Sequence, residues 1–279
     1  MRKFEVDTSH GRLDCVETSG ARTPVLFIHG NSSCKEIFAR QLEGELGSRY
    51  RMIAFDLPGH GASANAPEPA RTYSIHGFAD AAIELIEALL IERAVVVGWS
   101  LGGHVALELV ARWPGCAAAW ITGTPPVGAK DMAAGFRASP HMELTFSESF
   151  SPEDARVFAQ DAVGANVPLE PWMLAACLRA DGRFRPMLLA SALAGRDLDG
   201  REIAETSDVP LAVVTGEHEP FADNAYLQSL AYRNLWDGKV HVLSGLAHMP
   251  FWEAPQRVEA LLARFLAEVS SASTPASVT

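Results

Sequence analysis

The chain predicts an α/β fold: a mostly parallel central sheet flanked by helices, with a helical insert ahead of the last two strands. Three observations predict it. Short apolar runs alternate with segments of helical period along most of the 279 residues. Two of those runs, Val25-Leu26-Phe27-Ile28 and Val95-Val96-Val97, are continuous rather than alternating, as strands buried on both faces are. After Thr122 about 80 residues follow with little strand character before the alternation resumes.

In chain order, strands are expected at Leu13–Glu17, Val25–Ile28, Arg51–Phe55, Ala94–Gly98, Ala118–Thr122, Leu211–Thr215 and Val240–Leu243. Phe78, Ala82, Leu85, Ile86 and Leu89 recur at helical spacing and predict a helix with one buried stripe. Leu101–Arg112 reads as the next helix. Gly123-Thr124-Pro125-Pro126 then breaks the pattern and opens the insert. Within it, Ser151-Pro152-Glu153-Asp154 is a helix start: a hydroxyl to cap, a proline in the first turn, and acids at the positive end of the dipole. Val258, Leu261, Leu262, Phe265, Leu266 and Val269 predict the final helix. The core is therefore assigned to 1–124 and 207–270, a helical cap to 125–206, and a small, polar, flexible tail to 271–279.

Charge narrows the function classes. Against 34 acidic residues stand 23 basic ones, a net charge of −11, which repels phosphate backbones and argues against a nucleic-acid partner. No run of ~18 apolar residues is available to insert into a membrane. The N-terminus lacks the apolar stretch of a secretion signal, and Cys15, Cys34, Cys116 and Cys177 are scattered, so a cytoplasmic protein with free thiols is expected. The oligomeric state is left open.

Chemistry concentrates at Gly98-Trp99-Ser100-Leu101-Gly102, which follows the most apolar strand and precedes a helix. That context is the one a nucleophile elbow needs: a sharp strand-to-helix turn, glycines where backbones crowd, and a serine oxygen at the positive end of a helix. A serine hydroxyl also needs a base, for which His218, His241 and His248 are in reach of late strands. Nearby acids are Glu217, Glu219 and Asp223. The nine histidines include no H-x-H or H-E-x-x-H pair, and Gly59-His60-Gly61 lacks the lysine of a phosphate loop, so neither a metal nor a nucleotide cofactor is expected.

His29-Gly30, Asp56-Leu57-Pro58-Gly59-His60-Gly61-Ala62-Ser63, the elbow, and His248 followed by Glu253 and Pro255 together resemble the α/β-hydrolase superfamily along nearly the whole chain. A finer resemblance is to the AidH-type N-acyl-homoserine lactonases. It is carried by Thr8-Ser9-His10-Gly11-Arg12, His29-Gly30-Asn31-Ser32-Ser33, Gln41-Leu42-Glu43-Gly44-Glu45 and the elbow extended to Gly103-His104. Ile121-Thr122-Gly123-Thr124-Pro125-Pro126-Val127, Asp181-Gly182-Arg183, Glu219-Pro220-Phe221 and Asn234-Leu235-Trp236 extend it.

The resemblance implies the chain order serine, acid, histidine. It makes Ser100 the nucleophile, His248 its base and Glu219 the orienting acid. It assigns the oxyanion hole to the backbone N–H groups of Asn31 and Leu101, with the Asn31 side chain as a further contact for a substrate carbonyl. Trp99, Met142, Phe146, Phe158 and Phe221 become candidate substrate contacts. Phe158 departs from the family pattern, which has a tyrosine there. The implied activity is metal-independent opening of the lactone ring of N-acyl-homoserine lactones, a quorum-quenching reaction. A serine nucleophile excludes the aspartate chemistry of dehalogenases and epoxide hydrolases on the same fold. A general carboxylesterase and a ligand receptor share these residues and stand as alternatives. Met132, Phe136, Met142, Phe146, Phe150, Phe158, Trp172 and Met173 in the insert give enough apolar surface to line an acyl pocket.

Overall fold

The computed structural model describes residues 1–164 and 167–271. Eight strands form one sheet: β1 Arg2–Thr8, β2 Gly11–Glu17, β3 Arg22–Ile28, β4 Tyr50–Phe55, β5 Ala94–Trp99, β6 Cys116–Thr122, β7 Leu211–Gly216 and β8 His241–Leu243. Their order is β1-β2-β4-β3-β5-β6-β7-β8. Pairing is antiparallel between β1 and β2 and between β2 and β4, and parallel everywhere else. All seven expected strands are present. β1 is the addition: Phe4 and Val6 alternate with charged residues on an edge strand that is only half-buried, too short a signal to stand out.

The continuous apolar runs are explained by two cores. Leu26, Ile28, Val96 and Ile121 point to one face of the sheet, against Phe78, Leu85, Val105 and Leu109 of the helices Ile75–Ala88 and Leu101–Arg112. Val25, Phe27, Val95 and Val97 point to the other, against Phe38, Leu262, Phe265 and Leu266. Alternate residues of one strand thus feed both layers, and β5 has no exposed residue at all.

Between β6 and β7 the chain forms the helices Pro152–Val163, Pro171–Arg179, Phe184–Leu193 and Gly200–Thr206. The first begins with a full capping box: the Ser151 hydroxyl accepts from the Asp154 N–H, and the Asp154 carboxylate accepts from the Ser151 N–H. The final helix, Pro255–Ser271, includes the first residue of the expected tail; the rest of that tail, 272–279, lies outside the described residues. Among the described residues no helix is long and apolar enough to cross a membrane.

One buried ion pair locks the loops at the carboxyl ends of β3 and β4. Asp56, fully buried, accepts from the Lys35 N–H (2.7 Å), the Lys35 ammonium (2.8 Å) and the Ala62 N–H (2.8 Å). The same ammonium reaches Asp14 of β2 at 2.5 Å. Burial disfavours the lysine's charge, but Asp56 and Asp14 outweigh it and raise its pKa above the ordinary value. Beside this pair the buried His29 ring bonds to Gly30 O through Nδ1 (2.8 Å) and accepts from the Leu57 N–H through Nε2 (3.0 Å). Burial lowers its pKa, which favours the neutral ring that this pattern requires. Lys35→Met leaves the Asp56 charge buried without its cation. A destabilisation of about 3–5 kcal/mol is expected, read as a lower urea midpoint at unchanged m-value; an unchanged midpoint would show that the pair contributes nothing.

Candidate active site

Ser100 occupies the turn between β5 and the helix Leu101–Arg112, at φ 53° and ψ −118°. A residue other than glycine rarely adopts that conformation, and it persists only where the surroundings impose it. Here they do. A Cβ on Gly98 would sit 2.2 Å from the Gly102 carbonyl oxygen, and one on Gly102 would sit 2.0 Å from that of Ile28 in β3. Strand, turn and helix are in backbone contact, and no side chain fits between them. The Ser100 N–H donates to Thr122 O (2.8 Å), and the Thr124 hydroxyl donates to Ser100 O (2.9 Å). The Ser100 side chain makes no capping bond, so its hydroxyl is not spent on the helix. Leu101 is the first helical residue, whose N–H has no partner within the helix.

His248 and Glu219 come together from the loops after β8 and β7. Both oxygens of the fully buried Glu219 carboxylate lie within hydrogen-bond distance of His248 Nδ1, at 2.7 and 2.8 Å. The carboxylate is aimed by its own loop: Oε1 also accepts from the N–H groups of Phe221 (3.0 Å) and Ala222 (3.3 Å), and Arg137 donates to the Glu219 carbonyl (2.9 Å). The imidazole is held between the Trp99 ring (5.4 Å) and the Phe221 ring (4.9 Å, edge-on), and Trp99 Nε1 donates to His248 O (3.0 Å). Gly123, at φ +59°, closes the remaining side; a Cβ there would lie 2.5 Å from His248 Nδ1. With Nδ1 engaged by Glu219, the ring has Nε2 left, and His248 and Ser100 line the same cavity.

The competing candidates sit elsewhere. Glu217 is exposed and accepts from the Gly245 N–H (2.8 Å) and the Ser244 hydroxyl (2.9 Å). These bonds hold its pKa below the ordinary value and give it a specific role, cross-linking the loops after β7 and β8. Asp223 caps the helix Asn224–Ser229 by accepting from the Tyr226 N–H (2.8 Å). His241 packs on Trp236 (4.9 Å), and His218 is exposed.

The cavity, of about 130 Å³, is lined by Ser100, Leu101, His248, Asn31, Trp99, Met142, Phe146, Phe158 and Phe221, all of them candidates from the sequence. Met132 and Phe136 join them, whereas Phe150, Trp172 and Met173 do not line it. Phe150 packs on Phe158 (5.4 Å), Trp172 edge-on against Trp252 (5.5 Å), and Met173 lies in the core. The Asn31 amide is partly engaged within the protein: Nδ2 donates to Thr145 O (3.0 Å) and Oδ1 accepts from the Ser32 hydroxyl (2.6 Å). Lining residues not singled out in the sequence include His104, Leu188, Leu189 and Asp197. His104 was within reach of a spacing argument, since it lies one helical turn after Ser100. Burial pushes its pKa down to about 4, leaving a neutral ring at pH 7. One trio among the described residues, Cys34, Glu36 and Asp56, brings three potential metal ligands within 4.8 Å. Both Asp56 oxygens are already bonded, and burial raises the Cys34 thiol pKa, so the trio is ill suited to a cation.

Comparison with known proteins agrees with this architecture. A curated AB hydrolase superfamily protein, YisY of Bacillus subtilis (strain 168), is 27% identical over 274 residues, spanning 90% of this chain and 94% of its own. A pimeloyl-[acyl-carrier protein] methyl ester esterase of Methylococcus capsulatus is 30% identical, spanning 90% of this chain and 98% of its own. The crystal structure of N-acyl homoserine lactonase AidH complexed with N-butanoyl homoserine is similar with a TM-score of 0.94 and 43% identity, covering 96% of this chain and 97% of that one. The model of the alpha/beta hydrolase family matches residues 25–261, and to that family this chain belongs.

Proposed function

We propose that this hydrolase opens the lactone ring of N-acyl-homoserine lactones, with Ser100 as nucleophile, His248 as general base and Glu219 as the acid that orients it. One observation carries the reading. A buried histidine gripped at Nδ1 by a buried carboxylate shares an apolar cavity with a strained serine, in a chain 43% identical to AidH over 96% of its length.

In the proposed reaction Ser100 Oγ attacks the lactone carbonyl carbon while His248 Nε2 takes its proton. The carbonyl π electrons move to oxygen, and the N–H groups of Asn31 and Leu101 stabilise that charge at the helix N-terminus. Glu219 holds the Nδ1 proton in place and stabilises the imidazolium. Collapse of the adduct breaks the ring C–O bond, and His248 returns the proton to the departing alkoxide. Water, deprotonated by His248, then attacks the acyl-enzyme and releases the open acyl-homoserine with Ser100 restored. No step requires a metal. The leaving alcohol stays tethered to the acyl group, so hydrolysis competes with re-closure of the ring. The segment 125–206 serves as a cap whose apolar residues take the acyl chain; Phe158 supplies a ring there without a hydroxyl. The substrate is neutral, so its recognition needs no ionic anchor.

A carboxylesterase reading is favoured by one finding, the 30% identity to the methyl ester esterase. Relative turnover of lactones and simple esters separates the two, and a receptor is recognised by the lack of sustained turnover.

Ser100→Ala is expected to lower lactone hydrolysis by ~10⁴–10⁶-fold with an unchanged thermal melt. Activity within tenfold of the parent enzyme would sink the serine mechanism. Glu219→Gln keeps the shape but removes the charge, so kcat should fall ~10²–10⁴-fold, whereas Glu217→Gln and Asp223→Asn should each stay within about threefold. Were either of the latter crippled and Glu219→Gln active, the acid would be misassigned. Acyl-homoserine lactones should also gain kcat/KM with each added methylene, up to ~0.8 kcal/mol apiece until the cavity is full, and should exceed acetate esters. Equal values across both classes would favour the esterase.

A further inference from the structure

Arg185, at the start of the helix Phe184–Leu193, is only 1% exposed and forms no ion pair with a carboxylate among the described residues. A buried cation without a counter-ion is costly, and it is kept only where other groups satisfy it. Here four acceptors do. Nε donates to the Ser32 hydroxyl (2.9 Å), Nη1 to the carbonyls of Ser147 (3.1 Å) and Glu148 (3.3 Å), and Nη2 to that of Cys177 (3.3 Å). The guanidinium plane also lies over the Phe150 ring, 3.8 Å from its centre. Three of the acceptors belong to the β6–β7 insert. The fourth belongs to the loop after β3, which carries Asn31.

Ser32 passes the contact on. Its hydroxyl accepts from Arg185 and donates to Asn31 Oδ1 (2.6 Å), while Asn31 Nδ2 donates to Thr145 O of the insert (3.0 Å). Ser32 is itself at φ 56°, a conformation that a serine holds only under external constraint. The Asn31 side chain is thus held at both ends of its amide, by Thr145 of the insert and by a relay that begins at Arg185. A lysine has no planar fork with which to reach all four acceptors.

We propose that Arg185 is a positioning residue for the oxyanion loop: through Ser32 it orients the Asn31 N–H, so that the oxyanion site is complete only when the insert is seated. This rests on the reading of Ser100 as nucleophile and Asn31 as oxyanion donor. Arg185 touches no reacting atom. Its effect belongs to the tetrahedral adduct, in which charge develops on the carbonyl oxygen, and not to the bound lactone or the open product.

The test compares Ser32→Ala, Arg185→Lys and Arg185→Met with the parent enzyme. Each variant is assayed for kcat and KM on an acyl-homoserine lactone, for inhibition by an alkyl boronic acid, which forms a tetrahedral serine adduct, and for binding of the open acyl-homoserine. Removing an oxyanion donor outright costs about 10²–10³-fold in kcat. Misaiming one is expected to cost ~10–10²-fold, with KM within about threefold, an equal loss of boronic acid affinity and unchanged product affinity. Should Arg185→Met not fold, Ser32→Ala decides alone, because it removes the relay without burying a new group. Unchanged boronic acid affinity in Ser32→Ala, or a higher KM at constant kcat, overturns the inference and leaves the serine mechanism standing. A parent enzyme that a fluorophosphonate does not label overturns the serine mechanism, and the inference with it.

Discussion

The site depends on how closely β5 and the helix after it approach β3. That contact is made by backbone alone, through Gly98 and Gly102, and it forces Ser100 into a conformation it would not choose. The strain is imposed by the two-sided core: β5 is buried throughout and cannot relax toward solvent on either face. A stiff sheet therefore stores the local cost that keeps a serine oxygen free of capping duty at the head of a helix. The loops carrying Glu219, His248, Gly123 and Asn31 follow β7, β8, β6 and β3, so the same sheet sets their spacing.

Asp56, Glu219 and Arg185, three of the buried ionic groups, are satisfied in three different ways. Asp56 is neutralised by Lys35 and fixes loops. Glu219 is met by an imidazole and two backbone N–H groups, a combination that orients the ring without fully cancelling the carboxylate's charge. Arg185 is met by carbonyls, a hydroxyl and an aromatic face. Only the second arrangement leaves a charge that the proposed reaction draws on.

Much of this was legible in the sequence because it is local. A continuous apolar run followed by Gly98-Trp99-Ser100-Leu101-Gly102 encodes strand, turn and helix within a dozen residues, and the alternating segments located seven of the eight strands. Long-range pairings were not legible. Arg185 meets Ser32 across 153 positions, and nothing in Phe184-Arg185-Pro186 marks an arginine as buried. The helix Phe184–Leu193 is apolar on most sides, so its pattern did not say that Leu188 and Leu189 face the cavity. Nothing around Glu217 in the sequence marks its bonds either, because its partners, Ser244 and Gly245, follow a different strand.

The bond from Asn31 to Thr145 and the fork of Arg185 also bear on how such a protein diversifies. An insert lying over an active site invites exchange as a unit, one lid for another, to graft a new preference onto an old scaffold. In this chain the insert and the scaffold share hydrogen bonds at the loop beside Ser100. A transplanted lid lacking an arginine and a carbonyl at those two points would arrive with its own pocket and undo the scaffold's. Under the proposed reading, preference changes instead through single replacements along the cavity wall, at Met142, Phe146 or Phe158, which leave those shared bonds in place.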